Sequence, residues 1–299
     1  MSIAWHFIFR CLVCIFIVTS GYSYAAESED IPHGFLPAEV THANWVFSGM
    51  VTNENGEDYD YFFQMQRDGT LFHATVALFD AQTKQMILQE DSQAQINDSD
   101  NYNWSVGRAF LRFNTINDSW IFGLKDPNKH GFNFKVDMLN QPEHEPVTRY
   151  FRHGISFIVV QTGQLNGLVQ TDDKEQFVTA KNAWFRQIWL TSTKDKVHQL
   201  DGLLCRFQDG SGLYSMKVLE SDALRGAVAG LFNTEGISSA ISQFIRVDQQ
   251  EDSSWLIRIA SPKMHLILKD IAQQNAVITG FVSDKDKRGF CMLSSDMLG

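Results

Sequence analysis

Between His42 and Asp80 apolar and aromatic residues crowd into three runs parted by short polar stretches. Asn44–Val51, Tyr59–Arg67 and Thr70–Phe79 each read as a strand, because aromatic and β-branched side chains between Gly-bearing turns suit a pleated, buried surface. Asn55-Gly56 and Asp68-Gly69 supply the positive φ that tight hairpin turns need. Further on the alternation is clean. Phe132, Phe134, Val136 and Met138 share one face of a run, while Asn133, Lys135 and Asp137 share the other. A sheet with one dry and one wet face has this pattern. The preceding runs YNWSVGRAFLRFN and DSWIFGLKD are separated by the turn-rich NTIND and DPNKHG.

The second half repeats the style. DGLLCRFQDGSGLYSMKVLE is a hairpin turning at Asp209–Gly212, and the strand-like AVAGLF, WLIRIA, HLILKDI, NAVITGFV and GFCMLSS follow. Only Ser192–Leu200 and Ser221–Leu231 leave room for short helices. Asn140–His153 holds two of the six prolines and no apolar period, which marks it as a linker. The pattern predicts an all-β chain of two antiparallel barrels or half-barrels, residues 26–147 and 148–299.

Residues 1–25 change the picture of where the chain works. Arg10 precedes the uncharged apolar run Cys11–Thr19, and Ser23 and Ala25 stand three and one before a cleavage point ahead of Ala26. This is the layout of a secretory signal, and the run is shorter than the ~20 residues a bilayer-spanning helix requires. It predicts an exported protein, periplasmic or secreted, with no stable membrane insertion once the signal is gone. The net charge of −10, without a Lys/Arg cluster, excludes the electrostatic footprint of a nucleic-acid binder or a polybasic lipid-surface binder. Of four cysteines, Cys11 and Cys14 leave with the signal. Cys205 and Cys291 remain, either as two buried thiols or as a bridge that export would permit.

The usual catalytic signatures, a Gly-x-Ser-x-Gly elbow, His-Glu-x-x-His or a phosphate-cradling loop, are not in the sequence. Glu143-His144-Glu145 has too few ligand types for a structural zinc site and reads as solvated linker, so no metal and no cofactor is expected. Asp58, Asp60, Asp80 and Asp201 lie near strand ends, where acids either face solvent or assemble as a carboxylate pair.

Five motifs in order resemble the lipocalin-like family of carotenoid 1,2-hydratases and AttH proteins. They are Asn44-Trp45-Val46-Phe47-Ser48-Gly49 followed by Asn55-Gly56 and Tyr61-Phe62-Phe63, then Ala77-Leu78-Phe79-Asp80, Asn182-Ala183-Trp184-Phe185-Arg186-Gln187-Ile188-Trp189, the hairpin Leu203–Met216, and the terminal Gly289-Phe290-Cys291-Met292-Leu293. The resemblance implies two tandem lipocalin-like barrels and a site for an apolar, unsaturated substrate. Two departures stand out. Thr75 occupies the place of the family's histidine, with His73 two residues earlier, and Arg186 and Ile188 replace two family acids. Hydrating an isolated alkene starts with a proton delivered to carbon, which arginine does not supply.

Trp45 and Phe47 share one face of the first strand, and Tyr61 and Phe63 share one face of the second. Trp184 and Trp189 are five apart and so point to opposite faces, with Arg186 on the Trp184 side. Together with His73, these residues are the candidate wall of a site for a small hydrophobic ligand: a lipid, fatty acid or isoprenoid. An inward Arg186 requires an acidic partner or an anionic ligand. The expected function is binding without the family's hydratase chemistry. The alternatives are a hydratase, isomerase or cyclase acting through Asp60 or Asp80, and a protein-interaction platform with no ligand cavity.

Overall fold

The computed structural model of the 299-residue chain describes residues 36, 40–97, 102–126, 130–138, 146–171, 174–181, 183–191, 197–274, 277–283 and 287–298. The signal segment, Glu143-His144-Glu145 and most of Ser192–Leu200 lie outside the described residues. Within them the chain is almost entirely strand. The opening meander is β1 (His42–Asn53), β2 (Asp58–Asp68), β3 (Leu71–Asp80) and β4 (Met86–Gln95). Gly56 and Gly69 take the positive φ that the turns between these strands demand. Four short strands follow: β5 (Asn103–Val106), β6 (Ala109–Asn114), β7 (Ser119–Leu124) and β8 (Gly131–Asp137). Then come β9 (Val147–Tyr150), a 3₁₀ turn at Arg152–Gly154, β10 (Ile155–Gln161), β11 (Leu165–Thr171), β12 (Lys174–Ala180) and β13 (Trp184–Leu190).

These strands form one antiparallel sheet in the order β4-β3-β2-β1-β12-β11-β8-β7-β6-β5. It curls until its ends nearly meet: Ser92 Oγ on β4 donates to the Val106 carbonyl on β5 at 3.0 Å, and Arg108 pairs with Glu90. The sheet forks at β1. Thr52 and Asn53 pair with β12, whereas His42–Ser48 pair with β13, which continues through β10 to β9.

The second sheet is a nine-stranded half-barrel, β17-β16-β15-β14-β22-β21-β20-β19-β18. Its strands are β14 (His198–Phe207), β15 (Gly212–Glu220), β16 (Ala223–Phe232), β17 (Ser238–Ala240), β18 (Ile245–Gln249), β19 (Trp255–Ile259), β20 (Met264–Gln274), β21 (Val277–Ser283) and β22 (Arg288–Leu298). Cys205 and Cys291 face each other across β14 and β22 and are disulfide-bonded, with Cα atoms 4.0 Å apart. The short helix expected at Ser221–Leu231 is instead a turn and strand β16. Ser221 and Asp222 both adopt positive φ, so the β15–β16 hairpin turns without the glycine that would have marked it. Sheet membership changes between Leu190 and His198: β9–β13 hydrogen-bond into the first sheet, while the outer faces of β10 and β13 pack on the second.

Three apolar layers result. Rings fill the barrel: Phe47 stacks on Phe122 at 4.3 Å, and Trp45 lies 4.8 Å from Trp104. The half-barrel encloses mainly aliphatic side chains around Leu203, Leu213, Ile257 and Leu266. Between the sheets, Val46, Phe62, Phe157, Trp184 and Ile188 meet Leu200, Leu204, Met216, Phe290 and Met292. This middle layer explains why β1, β2, β3 and β13 are buried at nearly every position, since strands covered on both faces do not alternate between wet and dry. Every residue of Trp184–Leu190 is buried, whereas β8 alternates as expected.

Candidate functional site

The residues expected to line a ligand wall separate into three places. Trp45, Phe47, Tyr61, Phe63 and Trp189 are brought together in the barrel core, where the first four pack ring against ring with their neighbours. Trp184 points to the other side of its strand, into the intersheet layer, with its ring 4.8 Å from Phe232. It lies over Gly212, where any side chain would collide with the indole. His73 sits half-exposed near the open edge of the sheet, with Nε2 2.6 Å from Asp91 Oδ1.

Arg186 follows the parity of Trp184 and enters the intersheet layer, where it is 2% exposed. Its partner is an acid from the last strand: Asp296 Oδ2 lies 3.6 Å from Nη2. Nη1 donates to Ser294 Oγ at 3.3 Å and Nη2 to Asn44 Oδ1 at 3.5 Å. Asp296 also accepts from Gln64 Nε2 at 3.0 Å and from Asn44 Nδ2 at 3.4 Å. Gly202 makes room for this cluster, because a Cβ there would run into Arg186 Nη1 and Ser294 Oγ. Burial pushes the Asp296 carboxyl up and the Arg186 guanidinium down, and their mutual attraction opposes both shifts. Of the two partners an inward Arg186 could have, an acidic side chain or an anionic ligand, the structure supplies the first.

A second acid enters the same layer on different terms. The outward face of β2 carries Asp60, Phe62 and Gln64 in turn, opposite Met50, Ser48 and Val46 of β1. Asp60 lies four residues from Gln64, roughly 13 Å along the strand, beyond Phe62. It is 5% exposed, and among the described residues its carboxyl has no hydrogen-bond or ion-pair partner. Burial, with help from the nearby Asp58 charge, pushes its pKa up to about 8. The carboxyl is therefore protonated at neutral pH.

Asp60 stands in the wall of a cleft of about 420 Å³ between the two sheets, a size suited to a small-molecule site. Met50 and Phe281 give it apolar walls, Phe207 and Val282 border it with their side chains turned into the half-barrel core, and Lys84, Arg206, Lys269 and Arg288 give it cations. Arg206 reaches it because alternate residues of β14 face the first sheet, as Leu200 and Leu204 do, while Leu203, Cys205 and Phe207 face the half-barrel. Burial lowers the Arg206 pKa, against the fields of Tyr61 and Asp209. None of the eight candidate wall residues lines this cleft. The sequence reading nominated Asp60 as an acid but missed Arg206, Lys269 and Arg288. Arg206 and Lys269 are marked in the sequence as charges inside apolar strands, LLCRF and HLILKDI, whereas Arg288 merely ends a charged run where its strand begins. Asp80, the other nominated acid, caps the β3–β4 turn instead, accepting from the amides of Gln82 and Thr83.

No family model and no curated protein sequence matches the chain. Solved structures do. A protein assigned as AttH from Nitrosomonas europaea superimposes with a TM-score of 0.65 at 14% identity, over 89% of this chain and 96% of that one. Kievitone hydratase from Nectria haematococca superimposes with a TM-score of 0.61 at 10% identity, over 87% and 90%. At these identities the likeness establishes the fold: this chain has the paired lipocalin-like architecture expected from its motifs.

Proposed function

We propose that the chain is an acid-catalysing enzyme of the hydratase or isomerase type, acting on an unsaturated, largely apolar substrate in the intersheet cleft, with Asp60 as proton donor. The observation that carries this reading is a buried, partnerless carboxyl in a cleft wall, protonated at neutral pH. In the step proposed, the π electrons of a substrate double bond take the Asp60 proton and form a C–H bond, leaving positive charge on the neighbouring carbon and a carboxylate at Asp60. Water adds to that carbon and returns a proton to Asp60, which completes a hydration. Loss of a proton from an adjacent carbon to Asp60 completes an isomerisation instead. A donor whose pKa lies close to the operating pH serves both halves of such a cycle. The kievitone hydratase fold match is in keeping with this chemistry.

The test is solvent deuterium. The protein is incubated in D₂O with a panel of polyunsaturated acids, isoprenoids and enones, and substrate C–D bonds are read by mass spectrometry. Wild type is expected to place deuterium on carbon and Asp60→Asn to lose it. Equal incorporation by both proteins, or none across the panel, would overturn the reading.

The second reading, a carrier without chemistry, is favoured by Arg186 and Ile188 standing where the resembling family has acids. It predicts saturable binding of the same panel with no isotope exchange. The export expected from residues 1–25 is proposed with either reading, supported by the Cys205–Cys291 bond, which belongs to an oxidising compartment.

A further inference from the structure

We infer that the cleft beside Asp60 takes an amphipathic ligand with an anionic headgroup, a carboxylate or a phosphate, held by Arg206, Lys269 and Arg288 while its apolar part lies along Met50 and Phe281. The inference rests on the cleft being the substrate site and names the class of molecule that enters it. Acids outnumber bases 35 to 25 in this chain, yet the cleft wall carries four cations and one acid.

Three of these cations, Arg206, Lys269 and Arg288, have no acid partner among the described residues. Arg108, Lys135, Arg186, Arg225, Arg258 and Lys287 form ion pairs with acids. Neither Lys269 nor Arg288 forms one among the described residues, and Arg206 Nη1 donates only to the carbonyl of Gly210. Lys84 adds charge from the opposite wall, its ammonium 5.7 Å from the Phe281 ring centre.

Asp60 fits the same logic. Its carboxyl is neutral at pH 7, so it does not repel an anion and still donates a hydrogen bond. The apolar wall argues for a tail, since a free inorganic anion gains nothing from Met50 or Phe281. The pH dependence has a fixed sign. Headgroup affinity is full below about pH 7 and falls as Asp60 ionises near pH 8; Asp58 is the charge whose field reaches its carboxyl, and Lys84, Arg206, Lys269 and Arg288 line the same cleft.

The experiment is calorimetric titration of the full chain with decanoate, decyl phosphate, 1-decanol and inorganic phosphate at low salt. It is repeated on Lys269→Ala/Arg288→Ala, an exposed pair whose loss leaves the cores intact, and on Asp60→Asn. Decanoate or decyl phosphate is expected to bind at least about tenfold tighter than 1-decanol, and the double variant to remove that advantage while leaving the alcohol unchanged. Whichever acid wins identifies the headgroup. Equal affinity for acid and alcohol, no effect of the double variant, inorganic phosphate binding as tightly as decyl phosphate, or no binding of any probe would each overturn the inference. Because binding is read without turnover, an Asp60→Asn protein that still binds decanoate but exchanges no deuterium supports both readings. One that binds and still exchanges sinks only the catalytic role.

Discussion

Asp60 and Asp296 enter the same layer between two sheets and are buried to almost the same degree, 5% and 6% exposed. Asp296 is met by Arg186, Gln64 and Asn44. Asp60 is met by none of these, and its carboxyl opens instead on a cleft. Both pKa values rise through burial, so the shift alone does not separate them. The partners do. Asp296 belongs to a cluster that ties the C-terminal strand to β1, β2 and β13. A carboxyl left unpaired in a low-dielectric site costs stability that only a task outside the fold explains.

The comparison breaks most visibly at Arg186. Arg186→Ala strips Asp296 of its counter-charge and is expected to cost about 3–5 kcal/mol in urea denaturation, the range for breaking one side of a buried pair. Arg186→Met combined with Asp296→Leu should recover most of that loss. Asp60→Asn is expected to act in the opposite direction. The Asp60 pKa rises from 3.8 to about 8 on folding. Its cost is therefore absent below pH 4, grows as pH rises toward 8, and is constant above. The Asn amide carries its own burial cost at every pH, so the change should gain about 3 kcal/mol at pH 9 and turn into a loss of about 2–3 kcal/mol at pH 4, where the native carboxyl is neutral in both states. Denaturation midpoints of the two proteins across that range check both size and sign.

Two smaller effects sharpen the picture of the paired acid. Gly202→Ala should lose about 2 kcal/mol, because its methyl drives Arg186 away from Ser294 in a layer with no slack. Gln64→Leu should lose about 1–2 kcal/mol by removing the 3.0 Å bond to Asp296. Neither should move the Asp60 titration, since Phe62 separates the two acids.

Much of this architecture was legible in the chain. Gly-bearing turns located the opening hairpins, period-two alternation located β8, and parity put Trp184 and Trp189 on opposite faces with Arg186 beside Trp184. What the sequence withheld was non-local. Asp296 stands 110 residues beyond Arg186, and only the β14–β22 pairing brings it there. Asp60 was nominable as an acid, but its isolation depends on which second-sheet residues cover it. The β15–β16 hairpin was missed because Ser221 and Asp222, not glycines, carry its positive φ. The barrel rings, read as walls for a ligand, pack against one another, because aromatic stripes of equal parity look alike whether they face a cavity or each other.

The most direct test is the titration of Asp60 itself. With Asp carboxyl carbons ¹³C-labelled, the signal absent from Asp60→Asn is assigned by subtraction and followed from pH 3 to pH 10. The account predicts that this carboxyl stays protonated through neutrality and titrates at about pH 8. A midpoint near 4, the value of an ordinary solvated aspartate, would contradict it.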